Sequence, residues 1–308
     1  MRAAADSEIL HCSLYFLPGW LYPCQDDIHR SARRQSRRCH HPFCLSDFRF
    51  KCEAYLTRPA GPGPFPLMIL LHGHTFGSIG GAETVVPEAE AFARDLCYAG
   101  LAVSLPGFGA TEVQPGMDPK ITLDVVLGAI SLVKNLAWID PKQLYLYGFS
   151  RGAFYTSLLA NQIEGLRGII LHSGAYDLDR LYHETSNHWL RSMLNPTGEE
   201  NSKLISILPE VSTWSAPILV LHGEKDFLIP VKQATLLRDS LEVAKKRYRF
   251  VLYPNNGHRL PPEDVRVKVT AFLKENSGSA CRPAVVSSPG FVSTNRPSAS
   301  LPEPPAGQ

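Results

Sequence analysis

The chain has 308 residues, of which 44% are hydrophobic and 19% are charged, a composition typical of a globular protein. Its formal net charge of +2 is too small to favour a nucleic acid or a membrane surface through a concentrated field. No apolar run in the sequence reaches the roughly 20 residues that a membrane-spanning helix needs. We therefore expect a soluble globular protein with no nucleic-acid partner and no integral membrane segment.

The number of cysteines and the N-terminal residues indicate the cellular compartment of the protein. The chain has seven cysteines, and an odd number gives little support for a disulfide framework, so a reducing compartment is favoured. The apolar stretch 9–22 resembles the core of a signal peptide, but His11 and Pro18 interrupt it, and Asp6 and Glu8 stand where positive charge is typical. We expect a cytoplasmic protein, with secretion as the alternative.

The sequence divides into three zones. Residues 1–46 have no sustained period of 2 or 3.6 and are predicted to form an irregular, basic extension that contains cysteines and histidines. Residues 47–275 alternate between strand-like and helix-like segments and form the predicted catalytic domain. Residues 276–308 are rich in Pro and Ser, with too little apolar content to offset the entropy of ordering, and are predicted to be disordered.

The middle zone alternates short apolar strands with amphipathic helices. The predicted strands are 48–56, 67–71, 101–105, 143–147, 168–172, 217–221 and 248–253. The predicted helices are 83–98, 121–136, 152–161, 231–243 and 262–275. Wholly apolar strands that alternate with helices are typical of a parallel sheet covered on both faces. The predicted fold class is therefore α/β, with a mostly parallel central sheet.

A serine stands where a predicted strand meets a predicted helix. Ser150 is the centre of the pentapeptide Gly-Phe-Ser-Arg-Gly at residues 148–152, directly after the apolar run 143–147. A glycine on each side of a serine allows a strand to turn sharply into a helix and exposes the hydroxyl at the strand end. This pattern is typical of a catalytic nucleophile, so Ser150 is the predicted one.

A serine nucleophile needs a base, and the base needs an orienting carboxylate. His258 follows the last predicted strand on a Gly- and Asn-rich loop, and Asp226 follows the strand before it. The carboxyl ends of parallel strands meet at one edge of the sheet, so these side chains are predicted to gather there. Asp177 and Asp179, after an earlier strand, are the alternative acids.

Acyl transfer also needs donors for the oxyanion of the tetrahedral intermediate. The backbone N–H of Arg151, the residue after the predicted nucleophile, is one predicted donor because it begins a helix. The second predicted donor is the backbone N–H of His74, which follows the turn-forming Gly73. Thr75 is the alternative if the loop runs one residue differently.

These segments resemble the α/β-hydrolases, in particular the dienelactone-hydrolase and prolyl-oligopeptidase-like branch. The run at residues 140–152 is similar to that branch's approach to its nucleophile, and residues 222–226 and 257–258 resemble its acid and base segments. The resemblance covers roughly residues 48–275. It implies an α/β-hydrolase fold and a Ser, Asp, His hydrolase that needs no cofactor.

This chain differs from members of the branch in three ways, and these differences indicate the class of substrate. Dienelactone hydrolases use a cysteine nucleophile where this chain has Ser150, and related peptidases often have a second glycine where this chain has Ala153. Those peptidases often also carry a large N-terminal propeller, which the first 47 residues are too few to build. We therefore expect an esterase that cleaves small ester substrates through an acyl-serine intermediate. The alternatives are a peptidase, an acyl transferase, or a catalytically silent hydrolase-fold protein that binds a ligand.

A small helical cap is predicted over residues 174–212, between two strands.

Two groups of residues suggest a metal site, and we expect neither of them to bind a metal ion. His72 and His74 lack a third ligand at a compatible spacing, and the N-terminal set has no paired Cys-x₂-Cys unit. That set is Cys12, Cys24, His29, Cys39, His40, His41 and Cys44.

Overall fold

The computed structural model of the protein describes residues 8–17, 20–23, 51–74, 80–112, 119–195 and 204–277. Nine strands occur in these ranges. They are β1 (Glu8–Leu17), β2 (Trp20–Pro23), β3 (Lys51–Arg58), β4 (Phe65–Leu71), β5 (Ala99–Val103), β6 (Ile139–Phe149), β7 (Leu166–His172), β8 (Ile218–Gly223) and β9 (Tyr248–Tyr253).

The nine strands form one sheet in the order β2-β1-β3-β5-β4-β6-β7-β8-β9. From β5 to β9 all neighbours are parallel, while β1, β2 and β3 are joined to the sheet by antiparallel pairs. Every residue of β4 is buried, as expected for a central parallel strand with helices on both sides.

Seven α-helices lie in the described ranges. They are α1 (Val86–Leu96), α2 (Pro119–Val133), α3 (Arg151–Leu159), α4 (Leu178–Glu184), α5 (His188–Leu194), α6 (Lys232–Val243) and α7 (Pro262–Asn276). Helices α1 and α7 bury side chains in one core, and α2 to α6 bury theirs in a second, larger core. Each core takes alternate side chains of the same strands, so the predicted α/β class is confirmed.

The prediction that residues 1–46 are irregular is wrong for residues 8–17 and 20–23. Strand β1 runs antiparallel to β3 from Glu8, opposite Arg58, to Tyr15, opposite Lys51, and β2 folds back on β1. Main-chain hydrogen bonds to the edge of an existing sheet stabilise such strands without any periodic pattern of side chains. The predicted boundary at residue 47 therefore does not coincide with the start of the sheet.

The boundaries of the other predicted elements moved by a few residues. Strand β6 begins at Ile139 rather than at residue 143, because it pairs with β4 on one side and β7 on the other. The predicted helix 83–98 begins as a 3₁₀ helix at Ala82–Val85 and continues as α1. Residues 48–50 and the predicted tail beyond residue 277 lie outside the described ranges. Within those ranges, no helix combines the length and the apolar character that crossing a membrane requires.

Candidate active site

Ser150 lies at the junction between β6 and α3, at the carboxyl edge of the sheet. Its backbone has φ 55° and ψ −117°, a conformation that residues with a Cβ atom rarely adopt. A hydrogen bond of 2.8 Å from the Ser150 N–H to the His172 carbonyl fastens this turn to β7. Strained residues of this kind are concentrated at functional sites, because only the surrounding structure holds them in place.

The glycine at position 152 is required by close packing. A Cβ atom on Gly152 would overlap the main chain of Leu71 at the end of β4, and one on Gly148 would overlap the main chain of Gly152 and Ala153. The first turn of α3 therefore lies directly against the neighbouring strand. This contact fixes the direction in which the Ser150 hydroxyl points.

His258 lies between Ser150 and Asp226. Its Nδ1–H donates to Asp226 Oδ2 at 2.7 Å, and its Nε2 accepts from the Ser150 hydroxyl at 2.8 Å. The ring also packs against Phe149, with 5.2 Å between the ring centroids. The bond to Asp226 places the proton on Nδ1 and leaves the Nε2 lone pair facing the serine, so this imidazole is positioned to accept the proton of Ser150.

The carboxylate of Asp226 is buried and held at both oxygens. Oδ1 accepts from the backbone N–H groups of Leu228 and Ile229, each at 2.9 Å, while Oδ2 accepts from His258. These three hydrogen bonds satisfy a carboxylate that has no access to water. Asp226 is therefore arranged to orient the imidazole and to stabilise a positive charge that forms on it.

The loops that carry the acid and the base are joined by main-chain hydrogen bonds. The N–H of Glu224 donates to the Tyr253 carbonyl at 3.0 Å, and the N–H of Lys225 donates to the Asn256 carbonyl at 2.9 Å. A Cβ atom on Gly223 would overlap the main chain of the second loop. Asp226 and His258 are therefore carried by two loops, one after β8 and one after β9, that are fastened to each other.

The two alternative acids have other partners. The Asp177 carboxylate caps α4 by accepting from the Arg180 N–H at 3.0 Å. The Asp179 carboxylate lies 4.0 Å from the His183 ring, one turn further along the same helix. Of the three aspartates that the sequence suggested, the structure brings Asp226 to His258.

Two further buried histidines surround this unit. His222 Nε2–H donates to the Ile229 carbonyl at 2.9 Å, and burial lowers the pKa of this imidazole. Burial also lowers the pKa of His172 to about 3, with a smaller contribution from His258. His222 and His172 are therefore neutral at pH 7, and His258 is the imidazole that lies against the serine.

The predicted oxyanion donors lie on the two sides of Ser150. The Arg151 N–H belongs to the first turn of α3, at the positive end of the helix dipole. A Cβ atom on Gly73 would lie 3.2 Å from the Ser150 Cβ, so the chain from Gly73 to His74 passes beside the serine. Thr75, the alternative donor, lies outside the described residues.

His72 holds this loop in place. Its Nδ1–H donates to the Gly73 carbonyl at 2.7 Å, and its Nε2 accepts from the Leu105 N–H at 2.9 Å. Burial lowers the pKa of His72 to about 4, so the ring is neutral. Both ring nitrogens are occupied by backbone groups, an arrangement that leaves neither of them for a metal ion.

A buried carboxylate supports the neighbouring loop at residues 104–111. Glu53 Oε2 accepts from the Ser104 hydroxyl at 2.8 Å and from the Ala110 N–H at 3.1 Å. The loop carries Phe108, whose ring lies 5.1 Å from the His72 ring. Glu53 was not predicted from the sequence, because a single acidic residue within a strand forms no motif.

Ser150 opens onto an apolar cavity. Helices α4 and α5, within the segment 174–212 predicted to be a cap, supply one wall; residues 196–203 of that segment lie outside the described ranges. The side chains of this wall are Leu178, Leu181, Trp189, Leu190, Met193 and Leu194. The lining also contains Phe154, Ala175, Leu228 and Ile229. The six side chains on α4 and α5 lie within the predicted cap, but apolar residues on short helices have no pattern that marks them as cavity lining.

The mouth of the cavity contains Arg151 and His74. The Arg151 guanidinium lies over the Phe108 ring at 5.3 Å, and the His74 ring packs edge-on against Trp189 at 5.1 Å. Burial, and then the charge of Arg151, lowers the pKa of His74. Among the described lining residues Arg151 is the only charged one. The cavity thus combines an apolar interior with a positive charge at its rim.

Metal binding finds no support within the described ranges, where no group of three or more His, Cys, Asp or Glu side chains is arranged to hold an ion. The side chains of the N-terminal cysteines and histidines are not among those that the structure describes.

Several known proteins are similar to this chain in sequence. Dipeptidyl-peptidase 5 of Porphyromonas endodontalis is 28% identical over 165 residues, which are 50% of this chain and 24% of that protein. The chain thus spans about a quarter of that relative's length. The uncharacterized peptidase YtmA of Bacillus subtilis is 22% identical over 239 residues, 73% of this chain and 88% of that protein.

Among solved structures, Est1E from Butyrivibrio proteoclasticus with ferulic acid bound superimposes with a TM-score of 0.60 at 21% identity. The superposition covers 74% of this chain and 96% of that one. This likeness confirms the predicted α/β-hydrolase fold. The model of the prolyl oligopeptidase family matches residues 118–279, just over half of the chain. That range contains Ser150, Asp226 and His258, and the chain therefore belongs to the prolyl oligopeptidase family of serine hydrolases.

Proposed function

We propose that this protein hydrolyses carboxylic esters of small substrates through an acyl-Ser150 intermediate. The observation that carries the proposal is the position of His258, whose ring nitrogens lie 2.8 Å from Ser150 Oγ and 2.7 Å from Asp226 Oδ2. The hydrogen bonds run in the directions that the chemistry requires. The serine sits at the mouth of an apolar cavity, where an acyl carbon can approach it.

The reaction has two steps. In the first, Ser150 Oγ attacks the ester carbonyl carbon while its proton moves to His258 Nε2, and Asp226 stabilises the resulting imidazolium. The backbone N–H groups of Arg151 and His74 are the proposed donors to the oxyanion. The tetrahedral intermediate collapses as the alcohol oxygen takes the proton from His258. In the second step water attacks the acyl-enzyme by the same route and releases the carboxylic acid.

The position of the cavity relative to His258 favours an acyl group as its occupant. The described lining includes Ser150, Arg151 and His74 but not His258. The leaving alcohol must lie beside the imidazole, because that ring protonates it. The His258 side chain keeps 19% of its surface exposed, so the alcohol faces solvent. The acyl chain then occupies the apolar cavity, and we expect uncharged acyl groups to be preferred.

Two observations favour different scissile bonds, an ester bond and a peptide bond. Est1E, crystallised with ferulic acid, shares the fold over 96% of its length, which supports an ester substrate. The dipeptidyl-peptidase 5 and YtmA relatives favour a peptidase instead. We place the ester first because the cavity provides one apolar compartment next to the serine. An extended peptide also needs polar partners for its main chain.

The test compares an ester and an amide that share one acyl group. Purified protein is incubated with p-nitrophenyl butanoate and with butanoyl p-nitroanilide, and release of the chromophore is followed. We expect the ester to be hydrolysed with a burst equal to the concentration of active sites, and a fluorophosphonate to abolish both the burst and the turnover. The matched control is Ser212→Ala, which changes an exposed serine remote from the nucleophile.

Three results would overturn the proposal. Undiminished turnover in Ser150→Ala would show that this serine is not the nucleophile. Faster cleavage of the amide, or of peptides, than of the ester would establish the peptidase. No cleavage of any ester, with no fluorophosphonate labelling, would favour a ligand-binding protein.

A further inference from the structure

Gln233 is a buried side chain whose hydrogen bonds connect two segments of the cavity wall. It lies in the first turn of α6 and exposes 2% of its surface. Its Oε1 accepts from the backbone N–H groups of Tyr176 and Asp177, each at 2.9 Å, and its Nε2 donates to the Asp177 carbonyl at 3.1 Å. One side chain thus satisfies three main-chain groups that belong to a distant part of the sequence.

The two connected segments each supply part of the cavity. Asp177 is the N-cap of α4, which begins at Leu178, a residue that lines the cavity. Gln233 follows the loop that contains Asp226, Leu228 and Ile229, and its own N–H donates to the Pro230 carbonyl at 2.8 Å. Gln233 therefore joins the start of α4 to the loop that carries the candidate acid and two further lining residues, Leu228 and Ile229.

The identity of the side chain matters because the three bonds need both an acceptor and a donor. A carboxylate in its place would keep the two accepted bonds but would present a negative oxygen to the Asp177 carbonyl. A leucine of similar size would leave the Tyr176 and Asp177 N–H groups without their acceptor, at a cost typical of unsatisfied polar groups, while the Asp177 carbonyl would keep its bond from the Leu181 N–H. A primary amide of this length meets both requirements.

We propose that Gln233 is a positioning residue that sets the width of the acyl cavity, and through it the preference among acyl chains. It touches neither the reacting atoms nor the substrate. It acts by holding α4 at a fixed distance from Leu228 and Ile229, so the walls close on an acyl chain of limited size. This inference rests on the proposed ester hydrolysis for its substrate class, but the contact itself is independent of the reaction.

The experiment uses Gln233→Leu, the milder Gln233→Glu, and Lys232→Gln as the matched control on the exposed side of the same helix turn. The measured quantity is the ratio of kcat/KM for p-nitrophenyl butanoate to that for p-nitrophenyl acetate, with active sites titrated by a fluorophosphonate. The two esters differ by two methylene groups in the acyl chain, so the ratio reports the contacts that the longer chain makes in the cavity. The control should keep the wild-type ratio.

We expect Gln233→Leu to lower this ratio about tenfold, and Gln233→Glu to lower it by a smaller factor, while kcat for the acetate stays within about threefold. A purely structural role would reduce the fraction of active protein but leave the ratio per active site unchanged. A ratio equal to that of the wild type in both variants would overturn the inference.

A second measurement does not depend on activity. Hydrogen exchange of the Tyr176 and Asp177 amides is followed in full-length wild-type protein and in both variants. We expect exchange to be about tenfold faster in Gln233→Leu, because that variant removes the acceptor of both amides. Unchanged exchange at these amides would also overturn the inference. If no variant and no wild-type protein cleaves any ester, the proposed function fails while the exchange result still decides the role of Gln233.

Discussion

Asp226 Oδ2 accepts a hydrogen bond of 2.7 Å from His258 Nδ1, although the two residues lie 32 positions apart in the chain. The parallel sheet makes this approach possible, because β8 and β9 are neighbours and end at the same edge. The contact fixes the imidazole tautomer that leaves Nε2 free to take a proton from Ser150.

Asp226→Asn should lower kcat by about 10⁴-fold with little loss of stability. The asparagine oxygen can still accept from the Leu228 and Ile229 N–H groups, but the rest of its amide no longer accepts from His258 Nδ1. The measurement is kcat for an activated ester, with the free energy of unfolding determined in parallel. Asp239→Asn, on the exposed surface of α6, should behave as the wild type. A loss below tenfold in Asp226→Asn would contradict the assigned role.

Gly152→Ala should destabilise the fold by at least about 2 kcal/mol, because the added methyl group would overlap the main chain of Leu71. Relief of that overlap would move the first turn of α3 away from β4, so kcat should fall as well. Urea denaturation and ester hydrolysis measure the two effects. A variant as stable and active as the wild type would show that the junction between β6 and α3 is less tightly packed than described.

The buried histidines should make the fold sensitive to acid. Burial lowers the pKa of His72 to about 4 and that of His172 to about 3. Below the ordinary histidine pKa of about 6.5, these rings are protonated in the unfolded chain but remain neutral in the folded chain. Each ring therefore contributes stability that is fully present above pH 6.5 and is lost as the pH falls toward 4 for His72 and toward 3 for His172.

His172→Phe isolates one of these contributions. Between pH 7.5 and pH 5, the wild type should lose about 2 kcal/mol more free energy of unfolding than this variant, because a single histidine is removed from the titration. Urea denaturation at the two pH values gives the difference directly. The absolute stability of the variant also changes, because Tyr147 Oη loses the His172 Nδ1 partner that lies at 2.8 Å. Equal pH dependence in both proteins would contradict a neutral buried His172.

Ala175→Leu should narrow the acyl cavity. Ala175 is buried, 6% exposed, and lines the cavity, so a larger side chain takes space from the substrate. We expect kcat/KM for p-nitrophenyl hexanoate to fall by about tenfold or more, and that for the acetate to change much less. Val243→Leu, which also enlarges an apolar side chain but at a residue that is 84% exposed, is the control. Equal losses for both esters would indicate that the acyl chain lies elsewhere.

Much of the fold and the meeting of three candidate site residues were predictable, for an identifiable reason. Buried parallel strands are continuous apolar runs, and each chemically important side chain follows one of them: Ser150 follows β6, Asp226 follows β8 and His258 follows β9. Once the strands are parallel, the shared edge follows from topology. Local spacing therefore carried information about a contact between distant residues.

Other features depended on contacts that sequence patterns do not encode. Strands β1 and β2 are held through main-chain hydrogen bonds, which any sequence of suitable backbone conformation can make. Gln233 and Glu53 were not predicted because their importance lies in which backbone groups they meet, and those groups belong to other segments. The cap over residues 174–212 was predicted as a segment, but its individual cavity-lining side chains were not, since α4 and α5 are too short for a decisive apolar period.

The most direct test of the account is to identify the atom that carries the acyl group during turnover. Wild-type protein is mixed with p-nitrophenyl butanoate, quenched in acid within the burst phase, digested and mapped by mass spectrometry. The account predicts one butanoyl group per active site on Ser150, and none in Ser150→Ala, which should also lose at least about 10⁴-fold in kcat. Turnover without any acylated peptide, or acylation of a residue other than Ser150, would contradict it.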